Sequence, residues 1–175
     1  FKIDFHLSDS AFIVVDAFKH LNGGSYIKIS PDGKKVEGYS TVHQGGVPGN
    51  FRNYFVLEFS EPFISADTWR SDSLFRARHE LAGEHCGAII GFENNGKSIE
   101  VKVASSFISF EQAYLNLKEL GEDTFDEVKQ QSKQAWNQQL QKIWVEGATR
   151  AQLRTFYSAF YRMLIFPHKF YEINK

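Results

Sequence analysis

The densest group of side chains that could do chemistry lies in the segment RARHELAGEHC at residues 76–86. Five of its residues belong to types that bind metal ions: His79, Glu80, Glu84, His85 and Cys86. A zinc protease signature needs His-Glu-x-x-His on one helix, so that both imidazoles face one ion. Position 83 is Gly, so the motif fails. We therefore interpret the segment as a polar loop that leads into a buried strand and predict no metal site in this chain.

A glycine-rich segment and an isolated tryptophan are two further candidates for ligand sites. The segment GGVPGN at residues 45–50 is rich in glycine, but it lacks the strand-to-helix setting of a dinucleotide loop and the Gly-Lys-Ser/Thr of a phosphate loop. It is interpreted as a flexible connection. Trp69 lies in the polar segment ISADTWRSDS at residues 64–73, which is predicted to be an exposed loop. Its indole could stack on a sugar or a base, or anchor the loop to the domain edge.

No catalytic residue can be assigned from spacing. His6, His20 and His43 have no pattern that would make them a base or a ligand. Carboxylates such as Asp16, Glu37 and Glu58 are present, but nothing in the sequence singles out the pair that glycoside hydrolysis requires.

Composition narrows the class of protein. The 20 basic and 21 acidic residues nearly cancel, so overall charge gives no indication of nucleic-acid binding. No run of about 18 apolar residues could span a membrane, and no signal peptide opens the chain. Aromatic residues make up 15% of the chain, which predicts a dense core or an aromatic surface. Cys86 is the only cysteine, so no disulfide can form within the chain.

The first 107 residues have the patterns of β-strands and turns. Segments rich in β-branched and aromatic residues occur at 11–17, 25–30, 35–42, 51–60, 87–93 and 98–107. Asp-Gly in SPDGKK (30–35) and Asn-Gly in ENNGK (93–97) predict tight turns between neighbouring antiparallel strands. Short strands at this spacing predict a β-sandwich.

After residue 108 the apolar spacing becomes helical. Three capping-box patterns mark helix starts: Ser109 with Gln112, Thr124 with Glu127, and Thr149 with Gln152. The first helix is predicted to stop at Gly121, and the second to carry an apolar stripe as far as Trp144. The third has large apolar side chains on one face. Either this face folds back onto the sheet or it packs against a partner outside this chain, and we expect the second. Phe166 and Pro167 are predicted to end it.

The second half of the chain resembles glycoside hydrolase family 92, the calcium-dependent exo-acting α-mannosidases. The family pattern is a strand ending in Ser-Phe-Ile/Val-Ser, a Glu-Gln-Ala helix, a helix with Ala-Trp-Asn, a Gly, and a helix with Phe-Tyr-x-Ala-x-Tyr that closes on a Pro. The matching residues are Ser106, Phe107, Ile108, Ser109, Glu111, Gln112, Ala113, Ala135, Trp136, Asn137, Gly147, Phe156, Tyr157, Ala159, Tyr161 and Pro167. EGYSTVHQGG and NYFVLEFSEPF also look like strands of this family.

The resemblance implies a mainly β (α+β) fold, an antiparallel β-sandwich followed by linker helices. Residues 1–107 would be the later part of the N-terminal sandwich, 108–147 the helical linker, and 148–175 the first helix of a truncated (α/α)6 barrel. The partners implied are the remainder of that barrel and mannose-containing glycans.

The resemblance also limits what this chain can do. The family's general acid, general base and calcium ligands would lie beyond residue 175, so no cofactor is expected in this chain. His168 and Tyr171, where the chain enters the barrel, are the candidate substrate-binding residues. The expected function is a non-catalytic fragment of an inverting α-mannosidase, preferring α-1,2 linkages and located in the periplasm or outside the cell.

Two other hypotheses stay open at this stage. The chain could be a carbohydrate-binding β-sandwich that recognises glycans without cutting them, with Trp69 as the contact. It could also be a structural domain that forms a homodimer through its third helix.

Overall fold

The computed structural model describes residues 1–7, 10–17, 23–43, 45–165 and 171–172. The chain divides into two compact units, Phe1–Glu122 and Asp123–Lys175. The assignment of residues 1–107, 108–147 and 148–175 to three family regions stays a prediction. Within the described part of the chain, no helix is both long enough and apolar enough to cross a membrane.

The first unit is built from antiparallel strands and one helix. The strands are β1 (Lys2–Ile3), β2 (Ala11–Asp16), β3 (Gly24–Ile29), β4 (Lys35–Ser40), β5 (Asn53–Phe59), β6 (Ser65–Arg70), β7 (Ser73–Phe75), β8 (Glu80–Glu84), β9 (Cys86–Phe92) and β10 (Ile99–Ser106). Helix α1 (Phe110–Lys118) follows. The second unit contains α2 (Phe125–Leu140) and α3 (Arg150–Ile165).

The strands form two sheets that enclose one core. The larger sheet has the order β1-β10-β5-β4-β3-β8, and the smaller has the order β2-β9-β6-β7. Alternate residues of each sheet point inward, as Ile27 and Val36 do from one sheet and Ala88 and Ile90 do from the other, all with no exposed surface. The rings of Phe59, Phe63 and Phe92 meet in this core. This architecture confirms the predicted antiparallel β-sandwich.

One of the two predicted hairpins forms. In SPDGKK the amide of Lys35 donates to the Ser30 hydroxyl, Gly33 has φ +68°, and β3 pairs with β4. The predicted hairpin at ENNGK does not form, so that prediction is wrong. Gly96 does adopt the positive φ of +77° that the turn requires, but β9 pairs with β2 and β6, whereas β10 pairs with β1 and β5. The turn carries the chain from one sheet to the other because each strand finds its partners far away in sequence.

The predicted loop at residues 64–73 is also wrong, because Ser65–Arg70 is strand β6. Its inward residue Thr68 is fully buried, and its hydroxyl donates to the carbonyl of Arg78 at 2.9 Å. A buried hydroxyl with a hydrogen-bond partner replaces the apolar residue that the strand pattern leads one to expect.

The helix starts are where the capping patterns place them. The Ser109 hydroxyl accepts the Gln112 amide, and a complete capping box joins Thr124 and Glu127. Thr149 and Gln152 hydrogen-bond in the same way at the start of α3. Helix α2 ends at Leu140, before the predicted end of its apolar stripe at Trp144. The carbonyl of Ile143 accepts the Tyr157 hydroxyl at 2.9 Å, and Trp144 is 76% exposed.

Helix α3 leaves its apolar side chains uncovered within the second unit. None of its residues is buried, and Met163 is 61% exposed. The rings of Tyr161 and Trp136 of α2 meet at a centroid distance of 4.5 Å. The predicted end of the helix at Phe166 and Pro167 lies outside the described residues.

Candidate functional site

Only one of the two predicted substrate-binding residues lies in the part of the chain that the structure describes. His168 lies outside the described residues. Tyr171 is described and is 67% exposed. Their contact with a sugar stays a prediction.

The polar segment at residues 76–86 does not gather its metal-binding residue types at one point. Glu80 and Glu84 delimit strand β8, and Glu80 accepts the Tyr26 hydroxyl at 3.0 Å. Cys86 points into the core and is fully buried. Among the described residues, no group of three or more His, Cys, Asp and Glu side chains could hold a metal ion. Residues 76–79 form a turn as the loop prediction requires, whereas Glu80–Glu84 is a strand, and the segment leads into the buried strand β9 as predicted.

Trp69 is the centre of a cluster on the outer face of the smaller sheet. It pairs with Gly87 of β9, and Gly87 pairs in turn with Asp16 of β2. A Cβ atom at Gly87 would lie 2.5 Å from two carbons of the indole, so the ring lies directly on the glycine backbone. Any larger residue at position 87 would displace the indole.

His85 joins Trp69 to Asp16. The imidazole and indole rings meet edge to face, with centroids 4.6 Å apart and planes at 88°. His85 Nε2 lies 3.7 Å from Asp16 Oδ2, and the two side chains are 33% and 41% exposed. The backbone of His85 has φ +52°, a conformation uncommon for a residue other than glycine. An aromatic ring, an imidazole and a carboxylate are therefore held together at a surface that solvent reaches. We call Trp69, His85 and Asp16 the indole cluster.

An exposed apolar strip continues from the indole cluster along the same face. Phe12 and Val14 of β2 point outward and are 53% and 61% exposed, and Leu74 beside Trp69 is 49% exposed. A Cβ atom at Gly91, the partner of Phe12, would lie 3.0 Å from the Phe12 ring. Both aromatic side chains of this face thus lie against glycines of β9.

The outer face of the larger sheet is partly covered by helix α1. Ala113 and Leu117 pack on Val56. Beside them lies a groove of about 430 Å³. It is lined by Lys35, Glu58, Lys102, Tyr114, Leu117, Lys118, Gly121 and Glu122.

Carboxylates on this face are tied to structural partners. Lys28 Nζ lies 3.2 Å from Glu37 Oε1, and Lys35 Nζ lies 3.1 Å from Glu58 Oε1. Each of these two ion pairs joins neighbouring strands of the larger sheet, β3 with β4 and β4 with β5.

Three carboxyl groups elsewhere have a pKa below the ordinary value. The Ser30 hydroxyl lowers the pKa of Asp32, the Ser109 side chain lowers that of Glu111, and the Thr124 amide lowers that of Glu127. Each of these groups accepts hydrogen bonds in a turn or a helix cap, so its role is structural.

Sequence reasoning identified Trp69 but missed Asp16 and His85 as its neighbours. Asp16 of β2 and Trp69 of β6 are far apart in the sequence and are brought together by the register of β2, β9 and β6, while His85 directly precedes β9. The signal that could have found them is Gly87, a glycine inside strand β9, because a glycine within a strand often marks a close approach by another group.

Comparisons with known proteins agree with this architecture. Residues 1–106 match the glycosyl hydrolase family 92 N-terminal domain, and residues 112–175 match the glycosyl hydrolase family 92 catalytic domain. The fold is that of the sandwich domain of a glycoside hydrolase followed by helices. The chain belongs to glycosyl hydrolase family 92.

Comparison with solved structures also finds members of family 92. The chain is similar to a family GH92 inverting mannosidase from Bacteroides thetaiotaomicron VPI-5482, with a TM-score of 0.93 and 38% identity, over 99% of this chain and 24% of that one. It is also similar to a family GH92 α-mannosidase from the same species, solved in complex with mannoimidazole, with a TM-score of 0.82 and 25% identity, over 98% of this chain and 23% of that one. The chain thus spans about a quarter of the length of these relatives. No curated protein sequence matches it.

Proposed function

We propose that this chain is part of an inverting exo-acting α-mannosidase that trims mannose from glycans, with a preference for α-1,2 linkages. The observation that carries the proposal is the similarity of nearly the whole chain to an inverting mannosidase at 38% identity. In this proposal the sandwich and α1 serve as a scaffold, and α3 is the first helix of the catalytic (α/α)6 barrel.

Inversion needs a carboxylic acid that protonates the leaving oxygen and a carboxylate that activates water, about 6.5–9.5 Å apart. We place both groups in the remainder of the barrel. Calcium, which the full enzyme would use, is placed there as well, as the family resemblance implies. The chain alone is therefore proposed to be inactive, with His168 and Tyr171 as its contacts to the sugar.

The test compares two purified proteins: the 175-residue chain, and the chain extended at both ends to the whole reading frame that contains it. Both are assayed on α-1,2-, α-1,3- and α-1,6-linked mannobiose, with and without calcium. We expect calcium-dependent release of mannose by the extended protein only, fastest on the α-1,2 linkage. NMR should show the β-anomer forming first. Turnover by the 175-residue chain would refute the scaffold role, and an extended protein inactive on all three disaccharides would refute the mannosidase.

The exposed face of α3 supports a second proposal, on partners. Met163 and Leu164 of this face are each more than a third exposed, and an apolar face of this kind favours association. We propose that the isolated chain forms a homodimer through α3. Light scattering over a range of concentrations should give a dimer that Leu164→Glu dissociates. A chain that stays monomeric at every concentration would exclude it.

From family membership alone, we propose that the protein is exported to the periplasm or the cell exterior. Fractionation of cells that carry the natural gene tests it. Recovery of the protein in the cytosol would contradict this placement.

A further inference from the structure

We propose that the outer face of the smaller sheet is a glycan-binding site in which one sugar ring stacks on Trp69. Its ligand class is the non-reducing end or an internal stretch of an α-mannoside. The choice of mannose rests on the proposed function, whereas the presence of a sugar site rests on the geometry of the indole cluster.

The position of the indole is the first argument. A sugar ring presents a face of C–H bonds, which carry partial positive charge and are attracted to the negative face of an aromatic ring. Trp69 lies on Gly87, where a Cβ would come within 2.5 Å of the ring, and the side chain stays partly exposed. The glycine thus fixes the indole on the sheet in one orientation, so little side-chain entropy remains to be lost on binding.

Polar groups beside the indole are the second argument. A surface that binds only apolar protein segments has no need of a carboxylate and an imidazole at its centre. Asp16 and His85 lie side by side and are both partly exposed. A carboxylate accepts hydrogen bonds from two neighbouring hydroxyls, and an imidazole can donate or accept one. Such a combination of an aromatic ring with a few placed polar groups is typical of small-ligand sites.

The length of the face is the third argument. Gly87 and Gly91 are four residues apart on β9, so the positions under Trp69 and beside Phe12 are about 13 Å apart. Val14 lies between them on β2 and is 61% exposed. An oligosaccharide can therefore extend along β9 from Trp69 towards Phe12, which predicts tighter binding of longer chains than of a single sugar.

The experiment uses the 175-residue chain labelled with ¹⁵N at its tryptophans. It has three indole N–H signals, from Trp69, Trp136 and Trp144. Methyl α-mannoside, α-1,2-mannobiose and cellobiose are titrated separately to millimolar concentrations. We expect a saturable shift of the Trp69 signal with the mannosides, larger for mannobiose, and no shift of the other two signals.

Variants then test each contact. Trp69→Ala should abolish binding, and Asp16→Asn should weaken it about tenfold, the cost of losing a hydrogen bond to a charged group. Trp144→Ala is the matched control, because Trp144 is 76% exposed in the second unit. It should bind as the unaltered chain does. If Trp69→Ala fails to fold, the Trp69 signal of the unaltered chain and the Asp16→Asn variant still decide the question.

The outcomes separate the two proposals. A Trp69 shift with cellobiose and not with mannosides would support a sugar site on this face but overturn the α-mannoside as its ligand, and it would leave the mannosidase proposal to its own test. No shift of Trp69 with any sugar would overturn the site and leave the mannosidase proposal untouched. A dimer that Trp69→Ala dissociates would show that this face contacts a second copy, which would also overturn the sugar site.

Discussion

The Tyr114 hydroxyl of helix α1 donates a hydrogen bond of 2.8 Å to Glu37 Oε2 of strand β4. Lys28 of β3 lies 3.2 Å from the other oxygen of the same carboxylate. Burial raises the pKa of Tyr114 most, and this hydrogen bond raises it further. The hydroxyl therefore stays protonated and donates to Glu37 across the neutral pH range. The contact fastens the helix to the sheet beside the small apolar cluster of Val56, Ala113 and Leu117.

We expect Tyr114→Phe to lower the free energy of unfolding of the first unit by about 1.5–3 kcal/mol, the range for a hydrogen bond to a charged group. Urea unfolding followed by circular dichroism measures it. A double-mutant cycle with Glu37→Gln isolates the contact, and a coupling energy near zero would show that the hydrogen bond contributes nothing to stability.

Gly87→Ala should displace the Trp69 indole, because the new Cβ would meet it at 2.5 Å. We expect a loss of about 1–3 kcal/mol in stability, the usual cost of overpacking, and a change in the Trp69 indole signal. Gly49→Ala is the matched control, since a Cβ there meets no atom within 4 Å. Equal effects of the two substitutions would contradict the close contact between the indole and Gly87.

Cys86 should be inert in the folded chain. Its side chain is fully buried in the core, and burial raises the pKa of the thiol, although a hydrogen bond with Ser25 acts in the opposite direction. Since the thiolate is the reactive form, a thiol reagent at pH 8 should modify Cys86 only as fast as the sandwich opens. Fast modification under native conditions, compared with the same assay in 6 M guanidinium, would show that the core around Cys86 is open.

Local signals in the sequence were enough for some elements. The Asp-Gly turn predicted the β3–β4 hairpin because the hydrogen bonds that close the turn lie within residues 30–35. Capping boxes predicted the helix starts for the same reason, since residues three apart satisfy one another.

Long-range pairing was not predictable in this way. The Asn-Gly turn at 95–96 has the expected local geometry, but the partners of β9 and β10 lie elsewhere in the chain. Strand β6 was missed because its buried residue is the polar Thr68, whose partner is a backbone carbonyl. The indole cluster was missed for a related reason, because Asp16, Trp69 and His85 meet only through strand register.

The start of helix α2 provides a pH-dependent test. The amide and hydroxyl of Thr124 donate to Glu127 Oε2 at 2.8 and 2.7 Å. The hydrogen bond from the Thr124 amide has the larger effect and the one from its hydroxyl the smaller, and both lower the pKa of Glu127 below its ordinary value of 4.5. A lowered pKa in the folded state means that the cap stabilises the helix above pH 4.5 and that this contribution is lost as the pH falls through the lowered value.

We expect the circular dichroism signal of the helices to weaken on acidification more in the unaltered chain than in Glu127→Gln. The glutamine amide oxygen still accepts from Thr124 but does not titrate. The difference between the two curves isolates this one group from all other carboxyls. Carboxyl ¹³C shifts of Glu127 give its pKa directly. Identical acid titrations of the two proteins would mean that Glu127 contributes nothing to the pH dependence of helix α2.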